Sequence, residues 1–334
     1  MLASIPSPLE AQAVCERVGL VGCSAAYRDL VDALRRCAGL DATVLLEGAT
    51  GTGKELAARA LHYLGRRRGG PFVPVDCGAL PETLFEGELF GHARGAFTDA
   101  RRDMHGLVAQ ARGGTLFIDE IHTLAPRSQA ALLRFLQDHR FRPLGGEQWV
   151  EADVRVVAAA NRSLEQGVRE GWFRGDLYFR LNVVGVRLST LAERAEDVPM
   201  LVHAMLARLA AHYGVAPRAF DAAALAQLCS APWPGNVREL ENVVHRSFLQ
   251  CDGEGPLTLP GGTGPAAAPA PAPLDYNGER AALLCAFEAA YLRRILTAAH
   301  GNVTQAARLA GKERRLFGRM LKRQGIARAD FQDR

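Results

Sequence analysis

One short stretch restricts the folds open to this chain more than any other: GATGTGKE, residues 48–55. It follows a β-branched apolar run, TVLLE (43–47), and leads into ELAARALHYL (55–64), which has the look of a helix. Strand, glycine-rich loop, helix is the order a phosphate-binding loop requires, and Gly48, Gly53 and Lys54 fit the spacing G-x-x-x-x-G-K around Ala49, Thr50, Gly51 and Thr52. The glycines let backbone N–H groups wrap a phosphate. The helix N-terminus adds the positive end of its dipole, and Lys54 is long enough to reach terminal phosphates. Glu55 departs from the pattern, standing where a Ser or Thr hydroxyl would bind Mg2+. The plainer alternative is a glycine turn followed by a surface lysine.

The rest of the body agrees with such a loop. FVPVD (72–76), TLFID (115–119), VRVVAAA (154–160) and VVGVR (183–187) are short strand-like runs with helix-like text between them. That alternation predicts an α/β fold, a mostly parallel sheet covered by helices. Asp119 and Glu120 end the apolar run TLFID, where ligands bind in open parallel sheets. Asp119 is placed to hold Mg2+, directly or through water, and Glu120 to polarise an attacking water. Alone the pair would be a strand-ending acidic turn; beside a phosphate loop it reads as the second half of one site. After about residue 195 the pattern is helical throughout: EDVPMLVHAMLARLAAHYG, DAAALAQLCSA, then GNVRELENVVHRSFLQ. A helical lid on the α/β core is the simplest expectation.

Composition narrows the class. Hydrophobic residues make up 48% of 334, enough for a large core, and no run approaches the ~18 apolar residues of a membrane span. The seven cysteines are scattered singly, with no CxxC or His/Cys cluster, which suits reduced thiols in a cytoplasmic protein without disulfides or zinc. The opening text MLASIPSPLEAQAVCERV carries acids and lacks the layout of an export signal. Charge is uneven. Residues 282–334 hold 11 Lys/Arg against 4 Asp/Glu, a surplus of +7 in a chain whose total is +4, so the remainder stands at −3. Between body and tail runs GEGPLTLPGGTGPAAAPAPAPL (253–274), whose Pro/Gly content predicts an extended linker.

The basic tail has its own pattern. Phe287, Tyr291 and Ile295 recur at four-residue intervals, giving one apolar helical stripe. GNVTQAARLAGKERRLFGRMLKR then reads as helix, turn at Gly311, helix, with Phe317, Met320 and Leu321 facing inward. Arg314, Arg315, Arg319, Lys322 and Arg323 lie on the same basic helix, a layout that would carry it into a DNA major groove. A solvated amphipathic helix is the plain alternative. Two further features are less self-explanatory. GWFRGDLYFRL carries Arg174 and Arg180 six residues apart, ordinary surface ion-pair residues by default, though phosphoryl transfer needs a cation near the γ-phosphate. GHARGAFTDA (91–100) sets Phe97 two residues after Gly95, either a buried turn or a displayed tip.

Taken in order, VLLEGATGTGKELAARALH, ELFGHARGAFTDA, GGTLFIDEI, LLRFLQ, VRVVAAANRSL, FRGDLYFRLNVV and WPGNVRELENVV resemble the AAA+ domain of bacterial sigma-54-dependent transcription activators, from about Gly19 to Gln250. The tail resembles that family's Fis-type helix-turn-helix. The resemblance implies an ATP-hydrolysing, ring-forming protein, usually a hexamer, that binds upstream promoter DNA and remodels the closed complex of sigma-54 RNA polymerase. It implies a division into an N-terminal extension (1–18), α/β ATPase core (19–190), helical lid (191–252), linker (253–281) and DNA-binding domain (282–334). On this reading Glu55 is the family's own residue, Arg174 and Arg180 match its trans-acting arginine fingers, Asn161 its γ-phosphate sensor, and Arg238 its lid arginine at the nucleotide. Gly95, Ala96, Phe97, Thr98, Asp99 and Ala100 match its sigma-54-engaging loop.

Lys312, Glu313 and Gly318 depart from the family's commonest tail pattern, and three residues of the body depart from its ATPase pattern. Asp99 replaces the second glycine of the loop, Asp76 stands where an Asn holds the catalytic Glu, and Ala160 precedes Asn161 where Thr is common. Two facing carboxylates at Asp76 and Glu120 would repel unless one were protonated, which predicts an altered switch. Asp99 supports an alternative: a DNA-binding regulator whose AAA+ body does not engage sigma-54. About 20 residues precede the ATPase, too few for a receiver or sensor domain. Control is therefore expected from a separate regulatory protein, from expression level, or from a related activator sharing a mixed ring.

Overall fold

The structure is a computed structural model that describes residues 6–96, 102–250, 255–259 and 302–310 and the positions 292, 295, 299, 317, 318 and 321. The chain divides into two compact units, Met1–Ala267 and Ala268–Arg334, and each is described by itself.

The first unit opens with helix α1 (Pro8–Val18), started by a reciprocal capping box between Ser7 and Glu10, and α2 (Ala25–Ala38). Then follow β1 (Val44–Glu47), α3 (Lys54–Leu64), β2 (Phe72–Asp76), α4 (Glu82–Phe90), β3 (Gly91–His92), β4 (Met104–His105), α5 (Leu107–Gln110) and β5 (Thr115–Asp119). The core continues through α6 (Pro126–Asp138), β6 (Arg140–Phe141), β7 (Val150–Glu151), β8 (Arg155–Ala160), α7 (Leu164–Glu170), α8 (Gly175–Leu181) and β9 (Val184–Arg187). Strands β1, β2, β5, β8 and β9 form one parallel sheet in the order β2-β5-β8-β1-β9, on the five runs expected from the sequence.

Two-residue periodicity explains how those strands are buried on both sides. Leu45, Leu116, Ile118, Val156 and Ala158 face one hydrophobic cluster; Val44, Leu46, Phe117, Val157 and Ala159 face a second. The second cluster is closed by α1, α2 and α3 through Cys15, Leu34, Ala57 and Leu61, and the first by α4 and α6 through Phe85, Leu89, Leu132 and Phe135. Strand ends therefore carry the polar residues, and β1 delivers the chain directly into the glycine-rich loop.

Strands β3 and β4 make a small antiparallel ribbon directly after α4, and β3 is the first two residues of GHARGAFTDA. Backbone bonds to Leu144, from Ala93 N–H (2.9 Å) and to Gly91 O (2.9 Å), brace it from the β6–β7 side. Gly95 has φ +82° and Ala96 lies against Gly145; Phe97, Thr98, Asp99 and Ala100 lie outside the described residues.

A 3-10 turn (Ala192–Asp197) leads into the lid: α9 (Val198–Tyr213), α10 (Ala222–Ser230) and α11 (Asn236–Gln250). Their apolar faces meet around Trp233, Leu206, Leu228, Leu240 and Val244. Within the Pro/Gly stretch expected to be an extended linker, residues 255–259 behave differently. Leu257 is fully buried in the lid cluster and exchanges backbone bonds with Ala219 (2.8 Å) and Asp221 (3.0 Å). Its leucine side chain outweighs the local composition that marks the stretch as a linker. In the second unit, α12 (Val303–Leu309) is capped by Asn302, whose side chain accepts from the N–H of Thr304 (3.0 Å) and Gln305 (3.2 Å). Leu292, Ala299, Ala306, Ala307, Phe317 and Leu321 share a small core. Met320 and the basic positions Arg314, Arg315, Arg319, Lys322 and Arg323 lie outside the described residues. Among the described residues no helix is long and apolar enough to cross a membrane.

Candidate active site

The C-terminal edge of the sheet opens into a cleft of about 280 Å³ lined by Thr50, Gly53, Lys54, Asp119, Glu120 and Arg238, with further residues from the lid. A larger cleft of about 890 Å³ lies between α1 and the ends of α2 and α3, but it lacks a phosphate loop and paired acids. Chemistry, not size, selects the smaller one.

Lys54 is the first residue of α3. Its buried ammonium donates to the carbonyls of Gly48 (2.8 Å) and Ala49 (3.1 Å), closing the loop on itself. Burial pulls its pKa down, while the neighbouring carboxylates of Asp119 and Glu120 pull it back up. Gly51 and Gly53 hold φ of +79° and +101°, which side chains disfavour. Together these residues offer what a nucleotide triphosphate needs: a helix N-terminus, a glycine loop that a phosphate can approach closely, and a lysine.

The parallel register sets Asp76 beside Asp119. Burial raises the Asp119 pKa, and the charges of Glu120 and Asp76 add to the rise against opposing contributions from the Glu120 N–H and Lys54. A carboxylate so placed gains from a divalent cation beside it, so the donor set suits Mg2+. Glu120 sits in the left-handed region, φ 51°, anchored by Thr123, whose N–H (2.9 Å) and hydroxyl (2.8 Å) donate to its backbone oxygen. Asp76 Oδ1 accepts from the N–H of Gly78 (2.9 Å) and Ala79 (3.3 Å), and Glu120 Oε2 closes over the same glycine, leaving no room for a Cβ there. The amides of the 78–79 turn thus supply donors to the Asp76 carboxylate.

Asn161, just past β8, donates from Nδ2 to Thr50 Oγ1 (3.3 Å) and so touches the loop itself. Glu55 faces Arg59 one helical turn on (2.8 Å). Arg174 and Arg180 are not among the residues lining the cleft. Arg174 forks onto Asp176 (3.0 and 2.7 Å), and Arg180 donates to Leu136 O (3.0 Å) and Gln137 O (3.4 Å) at the end of α6. Between them in the sequence Phe179 is 76% exposed.

Sequence reasoning missed several cleft residues. Arg208 of α9 pairs with Glu241 of α11 at the cleft wall. Glu241 lies three residues after Arg238, one helical turn, and that spacing could have found it. Arg208 carries no comparable signal.

Comparisons with known proteins agree with this geometry. Residues 20–187 match the family described as the Sigma-54 interaction domain, and residues 192–258 match the AAA+ ATPase lid domain. The transcriptional regulatory protein GlrR of Escherichia coli K12 is 42% identical over 310 residues, 91% of this chain and 67% of its own length. The C4-dicarboxylate transport transcriptional regulatory protein DctD of Rhizobium meliloti is 42% identical over 326 residues, 97% of this chain and 68% of its own. Among solved structures, NtrX from Brucella abortus in complex with ATP superposes with a TM-score of 0.69 at 33% identity, covering 95% of this chain and 72% of that one.

Proposed function

The chain belongs to the Sigma-54 interaction domain family of AAA+ proteins, and on that premise we propose that it is an ATP-hydrolysing transcriptional activator that remodels the sigma-54 RNA polymerase closed complex. The observation that supports this most is the meeting of Lys54, Asp119, Glu120 and the lid's Arg238 around one cleft.

In this reading the β- and γ-phosphates of ATP lie against the loop's N–H groups, and Lys54 exchanges the Gly48 and Ala49 carbonyls for phosphate oxygens. Mg2+ bound with the nucleotide offsets phosphate charge, and Asp119 is the carboxylate positioned to hold it. Glu120 accepts the proton of the attacking water as the water oxygen bonds to the γ-phosphorus and the bond from that phosphorus to the β–γ bridging oxygen breaks, so that ADP and phosphate leave. Asn161 and Arg238 register the γ-phosphate from the sheet edge and from the lid. Arg174 and Arg180 serve the nucleotide of a neighbouring copy in a ring, of which a hexamer is the family form. To do so Arg174 must leave Asp176 and Arg180 the end of α6. Hydrolysis then moves the β3–β4 ribbon, and Phe97, in the sequence between its two strands, is the contact to sigma-54. The basic tail tethers the ring to upstream promoter DNA through Arg314, Arg315, Arg319, Lys322 and Arg323, and a separate regulatory protein or a related activator in a mixed ring supplies control.

Trans-complementation tests the ring mechanism. Glu120→Gln and Arg174→Ala should each bind ATP and fail to hydrolyse it alone. Mixed, they should regain activity, because an intact Glu120 and an intact Arg174 meet at some interfaces. No recovery at any mixing ratio would refute hydrolysis between subunits. Asp99 favours one other reading, a DNA-binding regulator that does not engage sigma-54. ATP-dependent opening of a supercoiled sigma-54 promoter separates the two, since only the first produces it.

A further inference from the structure

The outer side of the phosphate loop is held by the lid, residue by residue. Three consecutive loop carbonyls each accept a hydrogen bond from the lid or its hinge. Asn236 Nδ2 donates to Thr50 O (2.9 Å), Val237 N–H to Gly51 O (3.0 Å), and Arg194 Nη2 to Thr52 O (3.0 Å). We propose that these contacts form a latch through which lid docking sets the phosphate affinity of the loop, with Asn236 and Arg194 as its positioning residues. The proposal rests on the ATPase reading and adds to it a specific route by which lid and phosphates are coupled.

The argument follows from peptide geometry. In a trans peptide the C=O of one residue and the N–H of the next point in opposite directions. With the carbonyls of Thr50 and Thr52 drawn out toward the lid, the N–H groups of Gly51 and Gly53 are turned the other way, where a phosphate would sit, while the Thr52 N–H donates to Ala49 O (3.4 Å) within the loop. A loop released from the lid would lose that alignment, and its glycines would let it do so cheaply.

The donors are themselves built to stay in place. Asn236 is 2% exposed and sits at φ 53°, where few side chains settle. Its Oδ1 accepts from Leu191 N–H (2.8 Å), at the junction where core becomes lid. One side chain therefore joins the phosphate loop, the hinge and the first turn of α11. Arg194 is 5% exposed and breaks its 3-10 turn at φ −138°, ψ 45°. Its guanidinium lies 3.8 Å from Asp197, which is itself bound by the N–H groups of Cys23 (2.6 Å) and Ser24 (2.7 Å) and by the Ser24 hydroxyl (3.0 Å). The same network so reaches the start of α2. None of this involves Arg238, and the latch grips protein backbone rather than nucleotide.

Linkage makes the coupling reciprocal: if a docked lid favours phosphate, bound phosphate favours the docked lid. The discriminating perturbation is Asn236→Asp. It keeps shape and the Leu191 acceptor but sets a carboxylate oxygen against Thr50 O. Equilibrium binding of ATP and of adenosine, which has no phosphate, is measured for wild type, Asn236→Asp and Arg194→Lys. Arg194→Lys retains the charge beside Asp197 and serves if the first variant does not fold. The latch predicts ATP affinity lower by roughly tenfold or more, the scale of one buried hydrogen bond replaced by repulsion, with adenosine affinity within about twofold. Unchanged ATP affinity in a folded variant would overturn the latch. An equal fall for ATP and adenosine would also overturn it, because it would mean general damage to the lid. Failure of the wild type itself to bind ATP would instead sink the ATPase reading.

Discussion

Replacing Gly51 with alanine should strike the lid more than the loop in which it lies. Two costs can be separated. Gly51 holds φ +79°, and moving an L-residue into that region costs ~1–2 kcal/mol. A Cβ there would also stand far inside 3.0 Å of Gly235 O, a backbone atom of the lid that has no flexible side chain to bend away. The lid must then retreat, stretching the Val237–Gly51 and Asn236–Thr50 hydrogen bonds at ~0.5–1.5 kcal/mol each. The sum is about 2–5 kcal/mol, a large share of the ~5–15 kcal/mol by which a domain is stable. Gly19→Ala provides the control, for Gly19 has φ +88° and open space where its Cβ would go, so only the first cost applies. Urea unfolding of both variants, compared at equal m-value, isolates the difference. If Gly51→Ala is no more destabilising than Gly19→Ala, the close approach of lid to loop is not a real constraint. The reasoning fails with it.

Other outcomes follow from individual residues. Asp119→Asn should stabilise the nucleotide-free protein. Because the native Asp119 pKa is raised, the unfolded chain ionises first as pH climbs past 3.8, and wild-type stability falls until the native carboxyl ionises too. The gap in Tm between variant and wild type should therefore widen with rising pH and then level off; a gap independent of pH would refute the assignment. Asp76→Asn keeps an acceptor for the Gly78 and Ala79 amides but offers Glu120 a donor. Basal ATP hydrolysis should slow by roughly tenfold, and unchanged basal and stimulated rates would count against a switch at this position. Arg315→Ala with Arg319→Ala should weaken DNA binding and lower the slope of log affinity against log salt by about 1–2. An unaltered slope would rule out phosphate contacts by these side chains.

Much of the core was legible because its signals are local. A parallel sheet needs strands apolar on both faces, and TVLLE, TLFID and VRVVAAA can hardly be anything else between helix-like segments. The phosphate loop and the acids of Asp119 and Glu120 follow from the same local text: each sits at the end of such a run, where polarity must resume. Leu257 shows the limit. Its neighbours Pro256, Pro260 and Gly261 argue for a linker, and the segment packs on the lid regardless, through Leu257 and Leu259 and the backbone bonds of Leu257.

The lid's grip on the loop was illegible for a different reason. Asn236 sits in WPGNV, and nothing in that text says that its amide will bond a carbonyl 186 residues earlier. Nothing in the text singles out Arg194 and Asp197, yet both are buried, since each satisfies backbone groups whose exposure only the tertiary fold determines. Sequence motifs record which side chains meet the ligand, because the ligand's chemistry limits their identity. Side chains that meet backbone can be drawn from any residue with a donor or acceptor in reach, so they leave no motif. The residues that tune a site's affinity through its backbone are therefore the ones a structure adds, and in this chain they lie on the lid side of the phosphate loop.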